Sequence, residues 1–237
     1  MSSSSTGFWL GVLSESELDA VDAYYYSKHL IYRDEGYNSQ GLFGWESKAF
    51  DAHFSGCQRV LVTAAGGGRE VLALRERGVE ALGFECHPAL VAAAQQALAH
   101  RGQPTSAIQS CARDEWPSDE HFDGAIIGWG SYSLMRGRAR RVDFLRGAAA
   151  SLPKGGPVLL SFFRRSGLAL QHRVALAVGN SIRRLSRRVP LEPGDGLVPN
   201  FVHQFSEAQI REELAAAGFD CVHFQTSPYG HAVALRQ

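Results

Sequence analysis

The chain has no surplus of charge: 24 Lys and Arg stand against 24 Asp and Glu over 237 residues. A bulk polyanion binder would show a basic excess. Cysteine is scarce. Cys57, Cys86, Cys111 and Cys221 are scattered and form no CxxC pair, which excludes a disulfide scaffold and speaks against a metal centre defined by spacing. No metal ligand is therefore named. No apolar run reaches 18 residues, so no membrane span is expected. Met1–Thr6 is a short Ser run without a charged or apolar leader region, and a reducing, cytoplasmic setting is the default expectation. No internal repeat is found. What is there reads as globular: 45% apolar and 20% charged residues, in a length that fits one large domain or one domain with an appendage.

Residues 7–56 read as helical and aromatic-rich. Ser14 is an N-cap signal with Glu17 at the third helical position. The character changes at Arg59. Val60–Thr63 is a short apolar strand, Ala64–Gly68 a tight turn, and Arg69–Gly78 a helix stopped by glycine. Ala81–Phe84 is a second strand, and Pro88 opens a helix to His100. Thr105–Gln109 and Phe122–Gly128 are the third and fourth strands, Arg138–Leu152 is a helix, and Val158–Phe163 is the fifth strand. Such alternation implies a parallel sheet covered on both faces. The tail differs. Ser206 caps a helix through Ala217, and the strands Asp220–Gln225 and His231–Leu235 are joined by five residues. A link that short joins only antiparallel neighbours. The expected architecture is α/β: a doubly wound, mostly parallel seven-stranded sheet with a terminal antiparallel hairpin, an N-terminal helical lid or cap over 1–56, and a main domain over 57–237 with a helical insertion at 164–203.

A strand, a glycine turn and a helix form a nucleotide site because glycine lets the backbone approach a ligand and the helix start offers free N–H groups. Glu85 ends the next strand, 19 residues after Gly66, where a carboxylate can accept both ribose hydroxyls of a nucleoside. A tight turn beside a surface Glu is the plain alternative. The ordered set is more specific than any of its parts.

On these residues the chain resembles the class I S-adenosylmethionine-dependent methyltransferases, over 59–163 and 206–237. Val62–Glu70 resembles the family's first motif, an acidic residue followed by GxGxG, and Gly83–Pro88 resembles the second, with Glu85 on the ribose. Ser110–Ala112 lies where the family contacts adenine. Phe122–Gly130 resembles the fourth-strand motif, and Leu152–Gly156 the turn before the fifth strand. The terminal hairpin is a family trait that separates this fold from dinucleotide-binding dehydrogenases. The resemblance implies S-adenosylmethionine as cofactor, held by Ala64, Ala65, Gly66, Gly68, Glu70, Glu85, Cys86, Cys111, Ala112, Gly128 and Trp129. Three positions depart from the pattern. Val62 stands for the usual acid, Ala64 for the first glycine, and Cys111 for the usual Asp on the adenine amino group. Glu70 can take over part of the missing acid's role, and backbone at Cys111 and Ala112 can still meet adenine.

Methyl transfer from a sulfonium is an in-line displacement that depends on positioning and exclusion of water. Gly128–Ser133 follows the fourth strand, so Trp129 can stack on a ligand, while Ser131 and Tyr132 can hydrogen-bond an acceptor. The bland alternative is that these aromatics pack under the lid. The segment is not the [DN]PP[FY] signature of enzymes that methylate amino groups of nucleobases or glutamine amides. His203, in a linker before the last helix, is the first choice for a general base; capping or packing beside Ser206 is the alternative. His53 is a weaker choice. Tyr32, Tyr37 and Trp45 are expected in the lid, either on substrate or as anchors.

In the insertion, Val174, Val178, Ile182, Leu185 and Val189 form one apolar helix face. Residues 164–188 hold seven arginines and no Asp or Glu, leaving 17 basic and 24 acidic residues elsewhere. A basic amphipathic helix can dock an anionic substrate, a nucleic acid or a membrane surface, or turn its apolar side to the core or to a second copy in a homodimer. The expected activity is methyl transfer to O or N of a small organic molecule, an anionic one being compatible with the arginines. The alternatives are a protein or RNA methyltransferase guided by the insertion and a catalytically silent cofactor-binding module.

Overall fold

Val60, Leu61 and Val62 of β1 (Arg59–Thr63) have no solvent exposure in the computed structural model, which describes residues 3–117, 119–165, 167 and 169–237. A run apolar on both faces suits a strand covered on both sides. β1 pairs in parallel with β2 (Glu80–Glu85) on one edge and β4 (Gly124–Ile127) on the other; β2 continues to β3 (Ile108–Ser110) and β4 to β5 (Pro157–Arg164). The connections out of β1 and β4 leave in opposite directions, which opens a crevice at their carboxyl ends. α4 (Gly44–His53), α5 (Arg69–Glu76), α6 (Pro88–His100) and α7 (Arg138–Ser151) cover the sheet and close two apolar clusters.

The expected terminal hairpin is present. After α9 (Glu207–Ala216), capped by Ser206, come β8 (Phe219–Gln225) and β9 (Gly230–Arg236); β9 pairs antiparallel with both β5 and β8. Seven strands of a nine-stranded sheet therefore run β3-β2-β1-β4-β5-β9-β8, and the other two join β5 from the insertion.

The insertion departs from the expectation of a helical segment. It holds one helix, α8 (Leu170–Leu185), and then β6 (Asp195–Leu197) and β7 (Phe201–Phe205), which pair with each other antiparallel. The end of β7 joins the last two residues of β5 in parallel. The predicted linker around His203 is thus a strand. Ser166 and Leu168 of the insertion, and Met1 and Ser2, lie outside the described residues.

The apolar stripe of α8 is corrected as well. Val174 and Leu185 are 40% and 88% exposed, and Val189 lies beyond the helix end at 68%. The face that packs is the small-residue face: Ala175 and Gly179 sit against Gly7 and Gly11 of α1 (Ser3–Val12). A Cβ added to Gly11 would come within 2.9 Å of Ile182 Cβ. Two helices this close gain backbone-to-backbone contact that bulkier valines would prevent. Arg183 donates to the Leu10 carbonyl at 2.9 Å and Arg188 to the Val12 carbonyl at 2.7 Å. They satisfy the free carbonyls at the end of α1, as basic side chains do at helix C-termini. Arg164, Arg173, Arg184 and Arg187 stay exposed.

Residues 1–56 divide their work. α1 belongs with α8. α4 puts Trp45, Ala49 and Phe50 into the core. α2 (Glu15–Lys28), with the capping box of Ser14 and Glu17, the turn Leu30–Arg33 and α3 (Glu35–Asn38) lie over the crevice.

Candidate functional site

The crevice is a cleft whose space, counted with the open solvent at its mouth, is about 950 Å³. Its floor is the turn between β1 and α5. Ala64 holds φ +48°, the left-handed conformation that a glycine would adopt without strain. At the end of β2, Glu85 Oε2 accepts from the Gly66 N–H at 2.9 Å and Oε1 from the His87 N–H at 2.8 Å. Each oxygen retains a lone pair. The carboxylate is only 3% exposed, and it orders the turn before any ligand arrives.

One end of the cleft is formed by Cys86, Cys111 and Ala112. The Cys111 N–H donates to the Glu85 carbonyl at 3.2 Å, which ties this end of the cleft to β2. Burial, then the nearby Glu85 carboxylate, pushes the Cys111 thiol up to about 11 and the Cys86 thiol higher still. Both remain neutral walls.

At the other end, Arg69 spans two carboxylates. Its Nη1 lies 2.6 Å from Glu46 Oε2 and its Nη2 2.6 Å from Glu70 Oε1, with the guanidinium 3.7 Å above the Phe43 ring. Glu70 lines the cleft. Burial raises its pKa; Arg69 opposes that rise and the Glu46 charge adds to it. Val62, where the motif's acid would stand, is fully buried in an apolar cluster, and of the helix residues Glu70 lines the cleft.

The lid is latched by Asp22 of α2. Its carboxylate takes 2.5 Å and 2.6 Å bonds from Arg113 and Asn200, and His87 Nε2 lies 3.2 Å away. Burial works to raise its pKa, but the His87 hydrogen bond, the Arg113 charge and Asn200 together hold it below the usual carboxylate range. Tyr26, Tyr32, Tyr37 and Asn38 then close the cleft. Asn38 Nδ2 donates to the Tyr32 carbonyl at 3.1 Å, and both groups rest on Gly67, where a Cβ would overlap them. Gly67→Ala is expected to unseat the lid and weaken a cleft ligand about tenfold, given overpacking costs of about 1–3 kcal/mol. Calorimetry checks this, and unchanged affinity would show that the lid does not bear on the ligand.

Nine of the eleven residues expected to hold cofactor line this cleft: Ala64, Ala65, Gly66, Glu70, Glu85, Cys86, Cys111, Ala112 and Trp129. Gly68 and Gly128 do not. Gly68 packs on Ala94, and Gly128 lies against the carbonyls of Thr63 and Ala64. Ser131 lines the cleft too. Tyr32 and Tyr37 face it, whereas Trp45 turns away and lies over the His231 ring at 4.7 Å.

Neither catalytic choice reaches the cleft. Tyr132 is fully buried; its hydroxyl donates to Glu213 at 2.6 Å and its ring stacks on Phe205. Burial and the Glu213 carboxylate push the phenol well up. His203 is fully buried on β7, with Nδ1 2.6 Å from Asp195. Glu192, Asp195 and His203 bring their ligating atoms within 4.8 Å of one another. All three are already engaged, Glu192 by Arg141 and Asp195 by the Glu192 N–H and His203.

The reading of the sequence missed Tyr26, Asn38, Gly67, Arg69, His87 and Arg113. Gly67 and Arg69 sat inside the quoted motif and His87 beside Glu85. Asn38 and Arg113 carried no signal, because their roles depend on partners brought together by the fold.

No family model matches the sequence, and no curated protein does. Solved structures do. The 1,6-didemethyltoxoflavin-N1-methyltransferase of Burkholderia thailandensis, with 1,6-didemethyltoxoflavin and S-adenosylhomocysteine bound, aligns over 95% of this chain and 92% of its own at TM-score 0.66 and 21% identity. The sugar N-methyltransferase KedS8 from Streptoalloteichus aligns over 91% and 92% at TM-score 0.61 and 18% identity. CalS10, an amino pentose methyltransferase from Micromonospora echinaspora, aligns over 91% and 95% at TM-score 0.58 and 14% identity. What this chain shares with all three is its architecture.

Proposed function

We propose that this chain, which has the fold of class I S-adenosylmethionine-dependent methyltransferases, is such an enzyme and methylates O or N of a small organic molecule. The observation that carries the reading is Glu85, a nearly buried carboxylate anchored by the Gly66 and His87 N–H groups at the floor of the cleft, with a lone pair on each oxygen left for a ribose diol. Two further atoms support it. Asn38 Oδ1 and Thr63 Oγ1 line the cleft, are buried, and have no partner among the described residues. A buried polar group without a partner is costly, and a ligand's hydrogen-bonding atoms would relieve it. Four carboxylates, Glu70, Glu85, Asp114 and Glu115, line the cleft against the two guanidiniums of Arg69 and Arg113, an acidic excess that suits a cationic ligand.

In this reading Glu85 binds the ribose, Ala112 and the thiols of Cys86 and Cys111 border adenine, and Asn38, Glu70 and the Trp129 turn hold the amino-acid end. S-adenosylmethionine, when bound, supplies an electrophilic methyl group. The lid tyrosines exclude water from that end, and Arg69 holds Glu70 in place. The neighbours support a small-molecule acceptor, since they are an amino pentose methyltransferase, a sugar N-methyltransferase and a didemethyltoxoflavin N1-methyltransferase.

The test is calorimetric titration with S-adenosylhomocysteine, with NAD as control. Saturable binding of the first and none of the second is expected. No binding at millimolar S-adenosylhomocysteine would sink the reading, and NAD binding in its place would favour a dehydrogenase. Binding with no turnover on any acceptor would instead support the silent cofactor-binding module.

A further inference from the structure

α1 and α8 pack as a pair. Gly7 meets Ala175, and Gly11 meets Gly179 and Ile182, so the two helices run in the same direction in close contact. The pair is fixed to the body of the protein. Leu10 of α1 belongs to a buried cluster with Leu18, Leu191, Leu197 and Phe201, and Leu176 of α8 packs against it. Arg183 and Arg188 hold the end of α1. The layer is a built surface and not a loose tail.

Its outer face follows from which side chains turn inward. At about 3.6 residues per turn, the side of α1 opposite Leu10 carries Phe8 and Val12, and the side of α8 opposite Leu176 carries Val174 and Leu185. All four are exposed, with Trp9 and Leu170 beside them. Leu10 and Leu176 point to one cluster, so the two outer sides form one face. With Val189, these two helices supply seven of the thirteen large apolar side chains exposed among the described residues. Such a concentration marks an interaction surface, whereas single exposed leucines do not.

The charges around this face are of one sign. Neither 3–14 nor 164–191 holds an Asp or Glu. Arg173 and Arg184 lie on the side of α8 away from α1 and flank the face, and Arg187 follows the helix end. All three are exposed, and their guanidiniums have no partner among the described residues. The first carboxylates beyond α1 are already engaged, Glu15 by Arg140 and Glu17 by Ser14.

We propose that the outer face of the α1–α8 layer docks the protein on an anionic lipid bilayer. No described helix is long and apolar enough to cross a membrane, so the contact is a peripheral one. The guanidiniums meet the headgroup phosphates, and Trp9, Phe8 and the aliphatic side chains enter the boundary with the acyl chains, where aromatic rings are favoured. Nucleic acid would satisfy the arginines and leave the apolar stripe against water. A second copy on a twofold axis would cover the stripe and set the arginines against their own kind. A bilayer with anionic headgroups satisfies both. The proposal is independent of the methyltransferase reading and adds to it a place where the protein works.

The test is co-sedimentation of the whole protein with vesicles of phosphatidylcholine mixed with phosphatidylglycerol, and with vesicles of phosphatidylcholine alone. Binding to the first that weakens with added salt, and much weaker binding to the second, are expected. The salt series needs no substitution and reads the charge contribution in the unaltered fold. Arg173→Gln combined with Arg184→Gln should weaken binding about 30-fold. Brominated acyl chains should quench Trp9, read as the difference between the wild type and Trp9→Phe. Absence of binding to the anionic vesicles, equal binding to both kinds, indifference to the arginine changes, or no quenching of Trp9 would overturn the proposal. So would a stable dimer in solution that Leu185→Glu dissociates, which would give the face to a second copy. S-adenosylhomocysteine binding is measured separately, so either reading can fall without the other.

Discussion

Glu85→Ala is expected to weaken S-adenosylhomocysteine binding roughly 100-fold, because a hydrogen bond to a charged group contributes about 1.5–3 kcal/mol and the proposed ribose diol would meet this carboxylate with two hydroxyls. A second loss adds to the first. The Gly66 and His87 N–H groups, now bonded at 2.9 Å and 2.8 Å, lose their acceptor, so the turn that approaches the ligand is no longer ordered in its absence. Glu85→Gln separates the contributions. It keeps one acceptor oxygen and the side-chain volume, and should fall between wild type and alanine in affinity. Isothermal titration of the three proteins reads the series. Undiminished binding by the alanine variant would remove the ribose assignment, and with it the strongest support for the cofactor.

The largest expected loss of stability is at a site that does no chemistry. Arg141 and Glu213 are both buried, with Nη2 2.7 Å from Oε1, and Tyr132 donates to the other Glu213 oxygen. Removing one member leaves a buried charge without its partner, a change that costs about 3–5 kcal/mol. Arg141→Ala should therefore lower the melting temperature on the order of 10 °C in a domain of this size. The triple change Arg141→Met, Glu213→Leu and Tyr132→Phe removes the buried pair and the hydroxyl together but leaves the partly exposed Glu192 without Arg141, so it should recover part of the loss, since a buried pair replaced by packed apolar groups is often neutral. Differential scanning calorimetry measures both. A single variant that melts with the wild type would mean that water reaches the cluster. Tyr132→Phe alone should leave S-adenosylhomocysteine affinity unchanged, because the hydroxyl points to Glu213 and away from the cleft.

Much of the sheet was legible because parallel strands announce themselves as short apolar runs between helices, and because a five-residue link forces the last two strands to be antiparallel. Glycine spacing and Glu85 placed the cleft for the same local reason. The insertion was misread where a local rule met a long-range one. Valine periodicity marked one face of α8, but Gly7 and Gly11, more than 160 residues earlier, allow a closer approach to Ala175 and Gly179 and decide which face is buried. His203 looked free as a linker residue and became a strand residue once β6 offered it a partner. Tyr132 followed a cleft-lining Ser131, yet the turn there sends the next side chain into the core.

The Asp22 latch ties two stretches far apart in the sequence, α2 and the turn before β7. Asp22 is held by Asn200, 178 positions later, and α1 is gripped by arginines 173 and 176 positions away. During synthesis the glycine turn and Glu85 leave the ribosome long before Asn200 and the helix that holds α1. A nascent chain that has reached β5 possesses the floor of the cleft and the Arg113 and His87 contacts to Asp22, but neither Asn200 nor the helix that holds α1. The cleft therefore matures in two steps, and its roof gains its last anchors only after Asn200 and α8 have been made.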